Sequence, residues 1–219
     1  MMVSADQDPR KAGTIWAINL GEDMPVILPE CKASFGRVGP ESVDSLAAAM
    51  GPGSLAEIRK RFAAGRHCYA ARFGKEIVSY GWVSFDEEMV GELNLRLRLN
   101  FGEAYIWDCA TLPGYRQQHL YSALLSFILR ELLTKQPVCR VWIGADLDNQ
   151  ASQHGIARAG FQRVANLLVE RFLAMRLVWA QGEPEVPDSW VAEARRVYLG
   201  NRDNVWLEAI SHARQSDIT

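Results

Sequence analysis

The sequence lacks the features that mark several common classes of protein. No run of apolar residues is long enough to span a bilayer, and the first ten residues lack the apolar segment of a signal peptide. Lysine and arginine, 24 in all against 26 acidic residues, cluster in no segment, so no basic face is available to nucleic acid. We therefore expect a cytoplasmic protein that binds neither membranes nor nucleic acid.

The sequence pattern also does not indicate a disulfide framework, a metal site or a nucleotide-binding site. The four cysteines form no CxxC pair, and we interpret them as reduced core residues: Cys31, Cys68, Cys109 and Cys139. The four histidines show no metal-ligand spacing, and Asp146 with Asp148 alone makes no calcium loop, so we predict no metal site. Neither a P-loop nor a Rossmann glycine pattern is present, which argues against ATP or NAD.

The composition that remains is that of an ordinary globular protein. Its 219 residues are 48% hydrophobic and 23% charged, enough for one large domain with its own core. A change in composition at Gln181 separates residues 1–180 from a helical C-terminal appendage, residues 181–219. An apolar stripe in residues 203–213 is suited to docking on the same domain or on a second subunit of a homodimer.

One stretch carries strand, helix and strand signals in an order that builds a site. Tyr105–Thr111 is rich in aromatic and apolar residues and ends at a Pro-Gly turn. Arg116–Leu133 has the apolar spacing of a largely buried helix, and Val138–Ala145 is again typical of a strand. Because a helical crossover separates the two strands, we predict that they run parallel in a βαβ unit.

The elements around this unit are predicted to be mainly antiparallel strands. Ser54 and Glu57 have the spacing of a capping box at the start of a short helix. Gly74-Lys75 separates the strands of a hairpin, and Gln162–Trp179 is interpreted as two further strands. The other predicted elements are a strand at Thr14–Leu20, helices at Glu41–Met50 and Ser54–Ala64, strands at His67–Phe73 and Glu76–Phe85, and a half-buried strand at Glu92–Asn100.

The start of the long predicted helix is suited to an anion, because its first N–H groups lack partners and carry the positive end of the helix dipole. From Arg116 the chain resembles the pyrophosphate-binding turn of the GNAT superfamily of N-acetyltransferases, Arg/Gln-x-x-Gly-x-Gly/Ala, with His119 and Tyr121 at the glycine positions. The segment from Asn149 to Phe161 resembles the second cofactor-side helix of that family. The resemblance implies an α/β (α+β) fold: a mixed, mostly antiparallel sheet, flanked by helices, whose central parallel strands part at a cofactor cleft.

Two departures from the family pattern bear on the chemistry. Glycine at positions 119 and 121 would let the backbone approach phosphate without a β-carbon, whereas this chain has His119 and Tyr121. Our hypothesis is that helical dihedrals let their N–H groups face phosphate while both side chains lean outward. Ile156 stands where many family members carry a tyrosine proposed to protonate the departing CoA thiolate, so the usual acid is missing.

The resemblance implies that acetyl-CoA is the acyl donor and that it binds at the strand end, the turn and the second helix. The implied cofactor-binding residues are Cys109, Ala110, Thr111, Leu112, Arg116, Gln117, Gln118, His119, Leu120, Tyr121, Asn149 and Ser152. Arg116 is either a ligand of the phosphates or a solvated residue at the helix start; a cation there is unfavourable by itself, which makes the ligand role more attractive. Asn149 is equally well explained as a plain N-cap.

Acyl transfer to an amine needs a base for the amine and an acid for the leaving thiolate. Asp108 is the first candidate base, because a carboxyl inside an otherwise apolar strand is expected to be buried; a structural hydrogen bond to a loop is the alternative. Glu103 is the second candidate base, and its alternative is a solvated residue at a strand start. Tyr121 is the first candidate acid, or simply an aromatic residue of the first helical turn. Ser152 and His154, early in the second helix, are the other candidates, and His154 is equally explained as a solvated residue.

These expectations combine into one function and one alternative. We predict an N-acetyltransferase that moves the acetyl group of acetyl-CoA to a primary amine of a small molecule or peptide, by direct attack in a ternary complex. Trp82, Trp107 and Trp142 are interpreted as core residues, unless one of them flanks the parted strands and walls a pocket for a hydrophobic amine. The alternative, motivated by the loss of both turn glycines and the family tyrosine, is an inactive acyl-CoA sensor or protein-interaction module.

Overall fold

The described part of the chain forms eleven strands and five helices. The computed structural model describes residues 10–91, 94–172 and 175–208. The strands are β1 Arg10–Asn19, β2 Ser34–Val38, β3 His67–Phe73, β4 Glu76–Ser84, β5 Glu87–Val90, β6 Leu95–Arg98, β7 Glu103–Thr111, β8 Arg140–Asp146, β9 Gln162–Phe172, β10 Met175–Gly182 and β11 Asn204–Glu208. The helices are α1 Val43–Met50, α2 Leu55–Ala63, α3 Leu120–Lys135, α4 Gln150–Arg158 and α5 Asp188–Leu199.

Nine strands form one sheet in the order β11-β10-β9-β1-β8-β7-β4-β3-β2, and β5 pairs with β6 in a separate hairpin. Every neighbouring pair in the described sheet is antiparallel except β7 and β8, which run parallel from Glu103 opposite Arg140 to Ile106 opposite Ile143. Helix α3 is the crossover between these two strands. The predicted mixed sheet with one central parallel pair, flanked by helices, is confirmed.

Helices cover both faces of this sheet. Successive residues of a strand point to opposite faces. In β7, Ile106 packs with residues of α3 and α4, whereas Tyr105 packs with residues of α5. In β4, Val83 belongs to the α3 side, and Trp82 packs with residues of α1 and α2. Helices α3 and α4 therefore lie on one face, and α1, α2 and α5 lie on the other.

Strand β7 contains a bulge shortly after its parallel pairing ends. Between the paired positions 80/110 and 82/107, Gly81 alone lies opposite both Asp108 and Cys109. Asp108 has a φ of 42°, in the left-handed region. A Cβ on Gly81 would lie only 2.8 Å from Cys109 Sγ, so a residue without a side chain is required opposite the bulge. The bulge bends this end of β7 and re-aims its side chains.

Beyond the bulge, β7 and β8 follow different neighbours. β8 continues against β1 until Asp146 lies opposite Gly13, whereas β7 continues against β4 until Thr111 lies opposite Ser79. In the described sheet, the edge of β7 that faced β8 has no strand partner after Ile106. Backbone polar groups on this edge therefore face a split in the sheet, where they are available to a ligand.

Three local predictions are wrong. Helix α3 begins at Leu120 rather than at Arg116, because the chain first makes a 3-10 turn and then passes through two left-handed residues. Ser54 does not cap α2, since its hydroxyl donates to the carbonyl of Gly51 at 2.8 Å. Cys139 is exposed rather than part of the core.

The C-terminal region contains a strand as well as a helix. α5 packs against β6, β9 and β10, and β11 extends the sheet beside β10 instead of continuing the predicted helix. Residues 209–213 of the apolar stripe lie outside the described residues, as do Glu92 and Leu93 of the strand predicted at 92–100. The division of the chain at residue 180 stays a prediction. None of the described helices is long and apolar enough to cross a membrane.

Candidate active site

Two cavities meet where β7 and β8 part. The α3 cavity, of about 700 Å³, lies between the end of β7 and the starts of α3 and α4. The α5 cavity, of about 590 Å³, lies between β1, β7, β8 and α5, on the α5 face of the sheet. Both volumes are those of small-molecule sites. Four residues line both cavities: Cys109, Tyr121, Asn149 and Ser152.

The α3 cavity is suited to an anion. Leu120, Tyr121 and Ser122 line it and form the first turn of α3, and the side chain of His119 does not cap this turn. The N–H groups of a first helical turn have no partner within the helix, so they are available to a ligand. No acidic residue lines this cavity in the described chain, and its basic lining residues are Arg116, His119, His154 and Arg158.

In the turn before α3, two residues other than glycine have the left-handed backbone conformation that glycine adopts most easily. Gln117 has a φ of 64° and His119 a φ of 56°, both in the left-handed region. The hypothesis of helical dihedrals at both positions is therefore wrong for His119, although Tyr121 is helical. A left-handed residue other than glycine costs on the order of 1 kcal/mol or more, so the surrounding structure must hold this turn in place.

The imidazole of His119 does not fill the cavity. Arg158 Nη1 lies 3.1 Å from His119 Nδ1, and Glu30 Oε1 lies 2.9 Å from His119 Nε2. These contacts fix the ring between α4 and the loop that follows β1. The cavity measures about 700 Å³ with the side chains of both His119 and Tyr121 in its wall.

Tyr121 stands at the junction of the two cavities because α4 has a glycine beside it. A Cβ on Gly155 would lie 2.8 Å from Tyr121 Cε1, so only glycine leaves room for the ring. Burial and the neighbouring Cys109 raise the pKa of the Tyr121 phenol well above its ordinary value, and a hydrogen bond with Ser152 opposes part of this rise. The phenol is therefore neutral at physiological pH. Ile156, at the usual place of the family tyrosine, is fully buried in the core.

The thiol of Cys109 is held in its protonated form. Burial, with the nearby Asp108 as a smaller cause, strongly raises the pKa of Cys109. Cys109 Sγ also lies 3.6 Å from the carbonyl oxygen of Trp107. Because the thiolate is the nucleophilic form of cysteine, this side chain is not activated for attack.

Asp108 is exposed rather than buried, so the expectation of a buried carboxyl is wrong. The bulge and the left-handed φ turn its side chain out of the strand's alternation, and it pairs with Arg61 of α2. The guanidinium of Arg61 also lies 4.4 Å from the centre of the Trp107 ring. Asp108 and Trp107 both line the α5 cavity, together with Asp146 at the end of β8.

Glu103 is not brought to either cavity. It begins β7, on the order of 15 Å along the strand from the bulge by the usual rise per residue. Its Oε1 accepts from Arg196 Nη2 at 2.5 Å and from Trp142 Nε1 at 3.2 Å, and its Oε2 accepts from the backbone N–H of Asn100 at 2.8 Å. Glu103 is therefore buried and joins α5 to the sheet, and it is not a solvated strand-start residue.

The structure brings together most of the predicted cofactor-binding residues. All of them line the α3 cavity except Leu112 and Gln118. The N-cap interpretation of Asn149 is confirmed, because its Oδ1 accepts from the Ser152 N–H at 3.0 Å, and the residue lines both cavities as well. Arg116 Nε donates to the carbonyl of Thr111 at 3.2 Å, which holds the guanidinium near the end of β7.

Sequence reasoning missed one face of α4 and most of the α5 cavity. Ala151, Gly155 and Arg158 lie at i, i+4 and i+7 of α4 and all line the α3 cavity. This helical spacing was a usable signal once Asn149 had been placed at the cavity. The missed walls of the α5 cavity come from remote segments, so no local pattern indicated them: Thr14, Val90, Tyr105, Ile143, Asp146, Leu167 and Tyr198.

Comparison with known proteins identifies the family. Residues 44–161, more than half of the chain, match the model of the acetyltransferase (GNAT) family. The chain belongs to the GNAT family of acetyltransferases. The matched segment contains every lining residue of the α3 cavity, whereas β1, β9, β10 and α5 lie outside it.

Two solved structures share this GNAT fold. One is an acetyltransferase from the GNAT family from Colwellia psychrerythraea, with 13% identity and a TM-score of 0.51 over 72% of this chain and 54% of that one. The other is a GCN5-related N-acetyltransferase from Kribbella flavida, with 14% identity and a TM-score of 0.52 over 71% of this chain and 56% of that one. The chain thus spans about half the length of these structures, and the likeness concerns the fold alone. No curated protein sequence matches this GNAT chain.

Proposed function

We propose that this GNAT protein transfers an acetyl group from acetyl-CoA to a primary amine of a small molecule or peptide, by direct attack in a ternary complex. The observation that carries the proposal is the pair of cavities that meet at Tyr121 and Cys109, one lined by cations and the other by carboxylates. Two separate cavities with a common junction can hold a polyanionic donor and a cationic acceptor at the same time.

The donor end of the proposal rests on the chemistry of the α3 cavity. The free N–H groups of the first turn of α3 are suited to the diphosphate of CoA, and Arg116 and Arg158 add two fixed positive charges. Asn149 and Ser152 then lie along the path from this turn to the junction, where they would line the pantetheine arm. The thioester would reach the split edge of β7, whose unpaired backbone N–H groups are suited to polarise its carbonyl.

The acceptor end rests on the two carboxylates of the α5 cavity. Asp108 and Asp146 would attract the ammonium form of the amine, and Asp108, at the bulge, would take its proton directly or through water. The amine lone pair then attacks the carbonyl carbon, the carbon–sulfur bond breaks, and the sulfur leaves with the electron pair of that bond. The attacking nitrogen, which now carries a positive charge, gives one further proton to water and becomes the neutral amide. Glu103, remote from both cavities, has no part in this proposal.

Tyr121 is the proposed acid for the leaving thiolate. It enters the junction from α3, whereas the family tyrosine would have come from position 156 of α4. Burial raises the pKa of Cys109 and that of Tyr121 alike, so a thiolate and a phenolate are both disfavoured in this setting. Tyr121 would give its proton to the CoA sulfur as the carbon–sulfur bond breaks, and the phenol would regain a proton from solvent.

Direct attack is favoured over an acyl-cysteine intermediate by the protonated state of Cys109. Intact-protein mass spectrometry after mixing with acetyl-CoA alone tests this point. We expect no mass increase from a covalently bound acetyl group on Cys109. An acetylated Cys109 that is discharged by added amine would replace direct attack with a two-step transfer.

The activity itself is tested by binding and then by turnover. We expect acetyl-CoA and free CoA to raise the Tm of the protein, because both carry the diphosphate. A panel of primary amines should then release free thiol from acetyl-CoA, with the acetylated amine identified by mass spectrometry. Stabilisation without turnover on any amine would support an acyl-CoA sensor, and absence of stabilisation would remove the donor site.

A further inference from the structure

The inner wall of the α5 cavity carries two tyrosine hydroxyls from different parts of the chain. Tyr105 belongs to β7, and Tyr198 belongs to α5. Their rings meet edge to face with centroids 6.2 Å apart. A Cβ on Gly144 would lie 3.4 Å from Tyr105 Oη and 3.5 Å from Tyr198 Oη, so both hydroxyls converge over this glycine of β8. Glycine at position 144 keeps the space in front of them open.

The hydroxyl of Tyr198 is buried beside that of Tyr105. Tyr198 is 2% exposed, and burial raises its pKa well above the ordinary value, with smaller contributions from the charge of Tyr105 and from a side-chain hydrogen bond with it. The phenol of Tyr198 therefore stays neutral. A hydroxyl can donate one hydrogen bond and accept two, so Tyr198 keeps hydrogen-bonding capacity beyond its contact with Tyr105. A polar group of a ligand in the α5 cavity could use this capacity.

The rest of the cavity restricts what such a ligand can be. Its apolar walls are provided by Val90, Ile143, Leu167 and Trp107. The Trp107 ring is fixed by its N–H donating to Ser84 Oγ at 2.8 Å and by the stacked Arg61 guanidinium. A rigid indole wall is suited to an aromatic ring.

Charge limits the ligand further. Among the described lining residues, Asp108 and Asp146 are the only charged ones. Asp108 lies at the bulge of β7 and Asp146 at the end of β8, next to the junction with the α3 cavity, whereas the tyrosine hydroxyls are buried over Gly144. The cavity therefore favours one positive charge at the junction and an uncharged polar group at the inner end. The cation at its wall, Arg61, is already paired with Asp108 and stacked on Trp107, and no lining residue in the described chain offers an inner carboxylate for a second ammonium.

The length of the cavity can be estimated from β8. Both tyrosine hydroxyls lie over Gly144, and Gly144 and Asp146 are two residues apart, which corresponds to about 7 Å of strand. This span has room for one aromatic ring with a short amine chain.

We infer that the acceptor is an arylalkylamine with an uncharged hydrogen-bonding group, such as a phenolic hydroxyl, on the ring end remote from the amine. The inference rests on the proposed function for the place of the amine at the junction. Tyr198, outside the segment that matches the family, then sets acceptor specificity by hydrogen bonding to that hydroxyl.

Tyramine and phenethylamine test the inference, because they differ only in the hydroxyl. We expect kcat/KM, measured by thiol release, to be about tenfold higher for tyramine, the effect of one buried hydrogen bond. Tyr198→Phe should remove this preference, while Tyr69→Phe, which deletes a buried hydroxyl outside both cavities, should keep it. Tyrosine and spermidine should be poorer acceptors than tyramine, because one adds a carboxylate and the other adds ammonium groups.

Three outcomes would overturn the inference and leave acetyl transfer intact: equal rates with tyramine and phenethylamine, an unchanged preference in Tyr198→Phe, or faster transfer to tyrosine or spermidine. If Tyr198→Phe does not fold, the wild-type comparison still decides. Calorimetric titration of both amines into the protein saturated with CoA separates the two proposals. A tenfold tighter Kd for tyramine without thiol release from any amine would remove the transferase and keep the binding site, whereas equal Kd values would remove the site.

Discussion

The two cavities are similar in size and opposite in charge. The α3 cavity is lined by arginine and histidine around a helix start, and the α5 cavity by two carboxylates around apolar walls. They also differ in origin. Residues 109–158 provide all of the first cavity, whereas the second needs β1, β9 and α5 as well, which lie outside the segment that matches the family.

This difference separates a cavity built entirely within the segment that matches the family from a cavity that also uses segments outside it. A diphosphate is bound by N–H groups and positive charge, and one continuous segment can provide both. One acceptor amine differs from another in the shape and polarity of the group attached to its nitrogen. The walls that would recognise this group come from remote segments, such as Tyr198 of α5. The following predictions test whether the two cavities act as donor and acceptor sites.

Tyr121→Phe should have the largest effect, because Tyr121 stands where the two cavities join. The ring would still rest on Gly155, while the proton donor would be lost. We expect kcat to fall about 10³-fold, within the range of a lost general acid. The Kd of acetyl-CoA, measured by calorimetry, should change less than about twofold, because the N–H groups of the turn are retained.

Tyr69→Phe is the matched control, since it removes a buried hydroxyl from the sheet outside both cavities. The wild-type rate should show no alkaline fall from Tyr121 below pH 10, because its pKa is raised above the ordinary value of 10.0 and the acid form persists. A wild-type rate in Tyr121→Phe would assign the protonation of the thiolate to solvent or to another group.

Asp108→Asn should act on the acceptor cavity alone. We expect kcat/KM for the amine to fall about 10²-fold near neutral pH, as for a lost general base, with the Kd of acetyl-CoA unchanged. Glu57→Gln is a close control, because Glu57 Oε1 is the other carboxylate partner of Arg61, at 3.2 Å, and lines neither cavity. Equal losses in the two variants would show that Asp108 acts only by holding Arg61.

Most residues of the α3 cavity could be predicted from the sequence because they are local. A strand, a turn and two helices in order bring residues 109–158 together whatever the rest of the chain does. Asp108 shows where such reasoning stops. The apolar neighbours of Asp108 in the strand predicted a buried carboxyl, but the bulge opposite Gly81 adds one residue to β7 and turns this side chain outward. A bulge depends on the partner strand, which no pattern within β7 can indicate.

Glu103 and His119 show the same limit in other ways. Glu103 was a candidate base because it stands near the first parallel strand, yet its partner Arg196 is far along the chain, in a helix whose position no local pattern gives. His119 has the left-handed φ that glycine would have, and this conformation is supported by Arg158 and Glu30. Tertiary contacts thus overrode the backbone preference of histidine.

Arg116→Glu should act on the donor cavity alone. Reversing a charge beside the first turn of α3 should weaken acetyl-CoA binding about 30-fold at low salt, the size expected for a lost charge-assisted contact. The loss should shrink as salt is raised, because the site is open to solvent. Arg59→Glu reverses an exposed charge of α2 away from both cavities and should leave the Kd unchanged. Unchanged affinity in Arg116→Glu would place the diphosphate elsewhere.

Gly155→Ala should have the smallest effect and tests how the junction is built. The new methyl group would meet the Tyr121 ring, so we expect the phenol to shift and kcat to fall about tenfold, with the Kd of acetyl-CoA nearly unchanged. Alanine favours the helix by up to about 1 kcal/mol over glycine, which offsets the crowding and should leave the Tm within a few degrees of wild type. Gly36→Ala, where a Cβ meets nothing within 4 Å, controls for the substitution itself.

In a Tyr121→Phe background, Gly155→Ala should lower kcat less than twofold further, because no phenol remains to be displaced. A full tenfold loss in that background would show that Gly155 serves the cavity by a route other than Tyr121.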